Sequence, residues 1–385
     1  MIINSIKLFI ERGWHVDIYI NRDALESAPI NFKNDHVSFV VYDERRDVVA
    51  SVLKYSMNKL AKLLSPLMRI IPQNLKYFLL FHDIFFFSQW LKKEVKKYNY
   101  SYLFPVECRS LLSVKWYKKK KKIIYCNMEL LDWSEKNSLY KNKLELKNLE
   151  YQMIQNLEQV AITSPLRAGH FSKINNFDIE KIHILPVAPM GEPVRKRSKF
   201  FRKKFDISED SKIVLYIGNF ESWFLCLEII KTVQSWPQDF VLVMHTWNKS
   251  FLKTQYYEEM VNSAKRLPIY FSSDYIEYDE LAFAISSADI GLMFYEAIDK
   301  NFTEILFSSN KFGEYLKAGL PVICSDFPSL KEFVEENEVG MAVPVHELPF
   351  AVEQVGNKID IMKKNAYVCY EEKIRFESHF ERFFD

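Results

Sequence analysis

The chain has 385 residues, 48% of them hydrophobic and 26% charged. That is enough apolar material for two or three ordinary domains and excludes a disordered polymer. The formal charge of +2 argues against a nucleic-acid-binding chain, even though basic clusters occur at Lys118–Lys122 and Arg195–Lys204.

In chain order, "IINSIKLFIERGW" reads as an amphipathic helix ending at Gly13, followed by the strands "HVDIYI" and "HVSFVVY". A basic amphipathic region then runs through residues 45–97. Lys54, Lys59, Lys62 and Arg69 interleave there with Leu53, Leu60, Leu63, Leu64 and Leu67. Such alternation fits a helix lying on a membrane surface and equally one packed on its own domain. The most apolar window, "YFLLFHDIFFFSQWL", is interrupted by His82 and Asp83 and is too short to span a bilayer. The strands "YSYLFPV" and "KKIIYCNM", the helix "KLELKNLEYQMIQNL", and the strands "QVAITS" and "KIHILPV" complete the first half.

A basic, proline-bearing linker near 190–205 ends in a helix, and the alternation restarts with "KIVLYIGN", "FVLVMHTW", "IYFSS" and "DIGLMFYE". Residues 361–385 read as a closing helix with Phe376, Phe380 and Phe383 on one face. The pattern predicts an α/β protein with two Rossmann-like domains and parallel sheets: residues 1–195, residues 205–360, and the closing helix packing back on the first domain.

Five cysteines (Cys108, Cys126, Cys226, Cys324 and Cys369) are widely spaced and form no C-x-x-C pair, which reads as reduced thiols in a reducing compartment. The eight histidines are scattered without a metal-ligand pattern. No signal peptide is legible at Met1, so the expected location is cytoplasmic, with a peripheral membrane position through residues 45–97 as the alternative that region leaves open.

None of the nine glycines stands at G-x-G or P-loop spacing, and no G-x-S-x-G occurs. Dinucleotide-dependent redox chemistry, P-loop phosphate chemistry and α/β-hydrolase chemistry are thereby disfavoured. The informative stretch is "SSNKFGEYLKAGLPVICSD". Phe312, Tyr315 and Leu316 make one apolar helix face, and Gly319 sits where a left-handed cap is needed. Lys311 and Glu314 occupy the other, polar face. A carboxylate there suits the two hydroxyls of a ribose, and a helix start with a lysine suits a diphosphate. The same pair also fits a surface ion pair one turn apart.

The segment "NKFGEYLKAGLPVICSDFPSLKEFVEENEVGMAV" resembles the donor-site signature of the group 1 glycosyltransferases, a family 4-like set of retaining GT-B enzymes. The matching positions are Glu314, Ala318, Gly319, Pro321, Val322, Ser325, Asp326, Glu332 and Gly340. "SSNK" is similar to the branch acting in capsule, lipopolysaccharide and other surface-glycan assembly. "RKKFDISEDSKIVLYIGNF" resembles the start of the family's donor domain, and the likeness is specific across residues 200–344.

The resemblance implies a GT-B fold and transfer of a sugar, with retention, from a nucleoside diphosphate sugar to a glycan or lipid-linked acceptor. No cofactor and no metal are required. The implied donor-binding set is Gly218, Asn219, His245, Tyr275, Ser309, Asn310, Lys311 and Glu314. Lys311, Glu129 and Glu304 are the implied catalytic candidates. Glu129 and Asp132 follow a predicted strand, which also fits a plain surface loop; His245 also fits a core histidine. The family's E-x7-E pair is incomplete, because Leu306 stands where the first glutamate belongs, and the basic residues after the first donor-domain strand are replaced by "GNFESW". Those departures keep two rivals open, a non-catalytic glycosyltransferase-like subunit and a GT-B sugar-nucleotide 2-epimerase.

A Rossmann-like domain is expected to open on a central strand, whereas this sequence opens on a helix. The resulting expectation is that Met1 is an internal methionine preceded by roughly 15 to 20 residues, enough for one strand and its loop.

Overall fold

Most of the apolar runs become parallel strands, buried on both faces in the central strands of the second unit, and the amphipathic segments between them become covering helices. The computed structural model of the protein describes residues 1–27, 34–43, 57, 59–60, 72, 78–119, 122–133 and 143–384. The chain divides into two compact units, residues 2–184 and residues 185–385, the latter joined by Met1.

In the first unit β1 (Val16–Asn21) pairs in parallel with β2 (Val37–Tyr42), in the register Val16 to Val37. A second parallel ladder joins β3 (Ile124–Asn127), β4 (Gln159–Ile162) and β5 (Ile182–Ile184). The expected strand "YSYLFPV" contributes only isolated bridges, Leu103 to Ile123 and Val106 to Cys126. No backbone ladder joins β1 to that segment among the described residues. Side chains make the contact: from β1 the Tyr19 hydroxyl lies 2.6 Å from that of Tyr100, and from the helix and turn before it Phe9 packs on Phe104 and Trp14 stacks on Tyr102.

Most of the basic region 45–97 lies outside the described residues. Its described end, the helix His82–Val95, buries Ile84, Leu91 and Val95 in the core beside Phe81, Leu111 and Ile154. The window "YFLLFHDIFFFSQWL" is therefore largely a core helix. Among the described residues no helix is long and apolar enough to cross a membrane.

The second unit holds one six-stranded sheet in the order β11-β10-β9-β6-β7-β8, every neighbouring pair parallel. Its strands are β6 (Lys212–Ile217), β7 (Phe240–His245), β8 (Ile269–Ser272), β9 (Ile290–Met293), β10 (Val322–Cys324) and β11 (Gly340–Ala342). The sequence order reverses between β6 and β9. That switch point opens a crevice beyond the carboxyl ends of the strands, where ligands of such sheets bind. Val214, Leu242, Leu292, Ile323, Ile230 and Val352 fill the core between sheet and helices.

The C-terminal segment is not one continuous helix: Ile359–Cys369 runs into a π-turn, Tyr370–Ile374, before the helix Phe376–Phe384. It clusters with the second unit. The Tyr370 hydroxyl donates to the Gly191 carbonyl at 2.8 Å, the Tyr367 hydroxyl to the Val194 carbonyl at 3.0 Å, and the buried Phe376 and Phe380 rings pack together. All five cysteines are buried free thiols.

Candidate donor site of the second unit

The helix Asn310–Lys317 follows β9 after an intervening segment that holds the short helix Lys300–Thr303, and it buries Phe312, Tyr315 and Leu316, the face its apolar spacing predicted. Tyr315 anchors it. The phenol accepts from the Ile217 backbone N–H at 3.1 Å and reaches the Leu215 and Leu292 carbonyls at 3.3 and 3.2 Å, so the ring bridges β6 and β9 at the switch point. Gly291 makes room, because a Cβ there would meet the Tyr315 ring at 2.5 Å. Ser325, just after β10, accepts from the Tyr295 N–H at 2.8 Å and fixes the segment leaving β9. Tyr295 in turn places its hydroxyl 2.8 Å from that of Ser309, the N-cap residue, whose own side chain makes no capping bond to the helix.

Lys311 and Glu314 do not form the exposed polar face expected from the sequence, and no ion pair joins them. The Lys311 stem is partly exposed, but its ammonium is buried and makes no hydrogen bond to the protein. It rests against three rings, at 4.4 Å from the centre of Phe224, 4.7 Å from Tyr216 and 5.0 Å from Tyr295. Cation–π attraction partly replaces the lost hydration, yet burial still lowers the ammonium pKa to about 8. Gly218 lies directly beside the arm, with φ +147°. Its N–H is donated to the His245 carbonyl, and Asn219 accepts from the Tyr216 hydroxyl at 2.6 Å.

Glu314 is 3% exposed and takes a hydrogen bond of 3.3 Å from the Asn310 side chain. Burial pushes its carboxyl up to about 7, against the opposing pull of Lys317 and of Asn310. The first helical turn thus carries a cation without a hydrogen-bond partner beside a buried carboxyl whose pKa burial raises.

The other sequence candidates are distributed differently. Glu304 is buried and pairs with Lys300 at 3.4 Å, just before this helix. The His245 ring lies 3.0 Å from the Ser272 hydroxyl and edge-on to Phe201; burial lowers its pKa to about 4, so the ring is a neutral core group and only its carbonyl touches Gly218. Tyr275 is 57% exposed and bonds Glu277 at 3.3 Å. Glu129 belongs to the first unit. Sequence reasoning missed the aromatic enclosure of Lys311, although "GNFESWF" carries its Phe224. No signal in that stretch links it to a lysine 87 positions later.

The family described as "Glucosyltransferase 3-like, C-terminal domain" matches residues 243–376. No curated protein matches the chain in sequence. Among solved structures, a sucrose-phosphate synthase from Thermosynechococcus elongatus is similar at TM-score 0.68 and 15% identity, over 97% of this chain and 88% of that one. WaaG, described as a glycosyltransferase involved in lipopolysaccharide biosynthesis, is similar at TM-score 0.62 and 14% identity, over 99% and 93%. A trehalose-6-phosphate structure from E. coli bound with UDP-2-fluoro glucose gives TM-score 0.62 at 10% identity, over 96% and 98%. The chain has the two-domain α/β GT-B fold.

Proposed function

We propose that this protein is a glycosyltransferase that moves a sugar from a nucleoside diphosphate sugar to a hydroxyl of a glycan or lipid-linked acceptor. The observation that carries the reading is the Lys311 ammonium, buried without a hydrogen-bond partner at the sheet's switch point, one turn from the buried carboxyl of Glu314. A diphosphate supplies the anion that Lys311 lacks, and the absent side chain at Gly218 lets a phosphate approach the backbone. A ribose supplies two hydroxyls to Glu314 in its ionised form. In the transfer, the bond from the anomeric carbon to the diphosphate oxygen breaks and its electron pair leaves on the diphosphate. The acceptor oxygen forms the new bond to that carbon, and its proton passes to the departing phosphate. Charge growing on the leaving oxygen is what Lys311 stabilises.

The resemblance of the donor helix supports retention at the anomeric carbon. It also supports a place in cell-surface polysaccharide synthesis, at the cytoplasmic membrane face, with residues 205–360 as donor domain and residues 1–195 as acceptor domain. One observation favours a second reading, a non-catalytic glycosyltransferase-like subunit: Leu306 occupies the position of the family's first glutamate. Titration of the protein with UDP-glucose, followed by product analysis, separates the two. Binding with slow hydrolysis or transfer supports the enzyme. Binding with no turnover against any glycoside supports the subunit, and failure of UDP, UDP-glucose and other nucleoside diphosphate sugars to bind would defeat both.

A further inference from the structure

The loop after β6 is strained at Leu225, whose backbone is left-handed at φ +52°. A bulky side chain adopts that conformation only where its surroundings impose it. Leu225 is the N-cap residue of the helix Cys226–Thr232, yet its side chain makes no capping bond, so the strain gives that helix nothing. What it does is turn the chain between Phe224, whose ring meets the Lys311 ammonium at 4.4 Å, and Cys226, which enters the core. Both flanks are tied down. The Glu296 N–H donates to the Trp223 carbonyl at 2.8 Å, and the Leu227 N–H to the Tyr256 hydroxyl at 3.0 Å. Phe224 also meets Tyr295 edge-on, with 5.6 Å between ring centres.

The resulting box suits a cation and rejects an anion. Ring faces attract positive charge and repel negative charge. The donors in its wall are already spent, the Tyr216 hydroxyl on the Asn219 carbonyl and the Gly218 N–H on the His245 carbonyl. The neighbouring Cys226 thiol, pushed up to about 11 by burial, stays neutral. The Lys311 arm itself fills the space that the missing side chain of Gly218 leaves, so a phosphate cannot enter while the arm is there. N–H groups without an intrahelical partner lie instead at the start of the helix Asn310–Lys317. Its N-cap residue Ser309 pairs its hydroxyl with that of Tyr295 and caps none of them. Lys311 is the second residue of that helix, and its partly exposed stem gives the arm an open way from the box to the helix start.

We propose that Phe224, set in place by the strained Leu225, is a positioning residue: it stores the Lys311 ammonium in the free protein and releases it to a diphosphate seated on the start of the helix Asn310–Lys317. The identity of the anion rests on the donor-site reading above, whereas the storage belongs to the free protein and has its own readout.

The test uses the full chain with isotope-labelled lysine, the variant Lys311→Met to identify the Lys311 NMR signal by its loss, and UDP and inorganic pyrophosphate as probes. In the free wild type the Lys311 Cε–H signal is expected well upfield of ordinary lysines, because three rings act on it. Saturation with UDP is expected to return it to the ordinary position. Storage favours the free state, so Phe224→Leu, which removes one ring, should tighten UDP binding by about threefold or more in calorimetry. Phe224→Tyr, which keeps the ring, should bind as the wild type does. A merely structural phenylalanine would lower the melting temperature without raising affinity. An ordinary Lys311 signal in the free protein, or an upfield one that persists with UDP bound, would overturn the inference. So would unchanged or weaker UDP binding in a folded Phe224→Leu variant; if that variant does not fold, the wild-type signal decides alone. Should UDP fail to bind while pyrophosphate still releases the signal, the nucleotide reading falls and the storage stands. If neither probe binds, both fall.

Discussion

Gly218 and Lys311 share one small volume: a Cβ built on Gly218 would lie 2.9 Å from Lys311 Cε and 3.1 Å from Nζ. They are 93 positions apart in sequence, so the glycine after β6 and the lysine opening the donor helix are a single structural unit. Gly218→Ala should pull that unit apart. The alanine must adopt a backbone that L-residues avoid, at about 1–3 kcal/mol, and it displaces the lysine arm. Calorimetry should show UDP affinity falling by about tenfold or more, with a modest drop in melting temperature.

The Lys311 ammonium penalises the folded state. Its pKa falls from 10.5 to about 8 on folding, so between those values the unfolded chain binds more protons and stability rises with pH. Below about pH 8 the penalty is fully present, at about 3 kcal/mol from the linkage relation. Lys311→Met, which keeps the contact with the rings, should melt higher than wild type at pH 7, and the gap should close as pH rises from 8 to 10.5. UDP should no longer bind. A variant that melts lower at pH 7 would show that the ammonium is paired.

Glu314 has the complementary sign. Its carboxyl pKa rises from 4.5 to about 7, so the native state holds the extra proton in between and stability falls as pH climbs from 4.5 through 7. Glu314→Gln should match wild type near pH 4.5 and exceed it at pH 8 by up to about 3 kcal/mol. Ribose hydroxyls favour the ionised carboxylate, so wild-type UDP affinity should climb with pH through about 7 in the same range. Uridine diphosphate titrations at pH 6 and pH 8, with the glutamine variant as control, test both statements.

Two glycine substitutions should move stability in opposite directions. Gly291→Ala drives a methyl into the Tyr315 ring, 2.5 Å away and pinned by its hydroxyl, and should cost about 1–3 kcal/mol. Gly169 lies exposed in the middle of the helix Pro165–Asn175 with nothing within 4 Å of a new Cβ. There alanine should add about 0.5–1 kcal/mol through helix propensity. Chemical denaturation of the two variants gives the comparison directly.

The sequence by itself determined the alternation of strands and helices, the restart of that alternation after residue 190, and the buried face of the helix Asn310–Lys317. These follow from periodicity and from Gly319, whose φ of +72° is the left-handed cap its position requires. Such features depend on neighbours within one or two turns of chain. The tertiary structure decided which charges are buried. Lys311 loses its water to Tyr216, Phe224 and Tyr295, rings from two distant segments. Glu314 is enclosed on a face that looks polar in the sequence, and His245 is spent on Ser272. The strain at Leu225 was equally illegible. Solvation of an ionisable group is set by what the fold brings against it, and no local pattern records that.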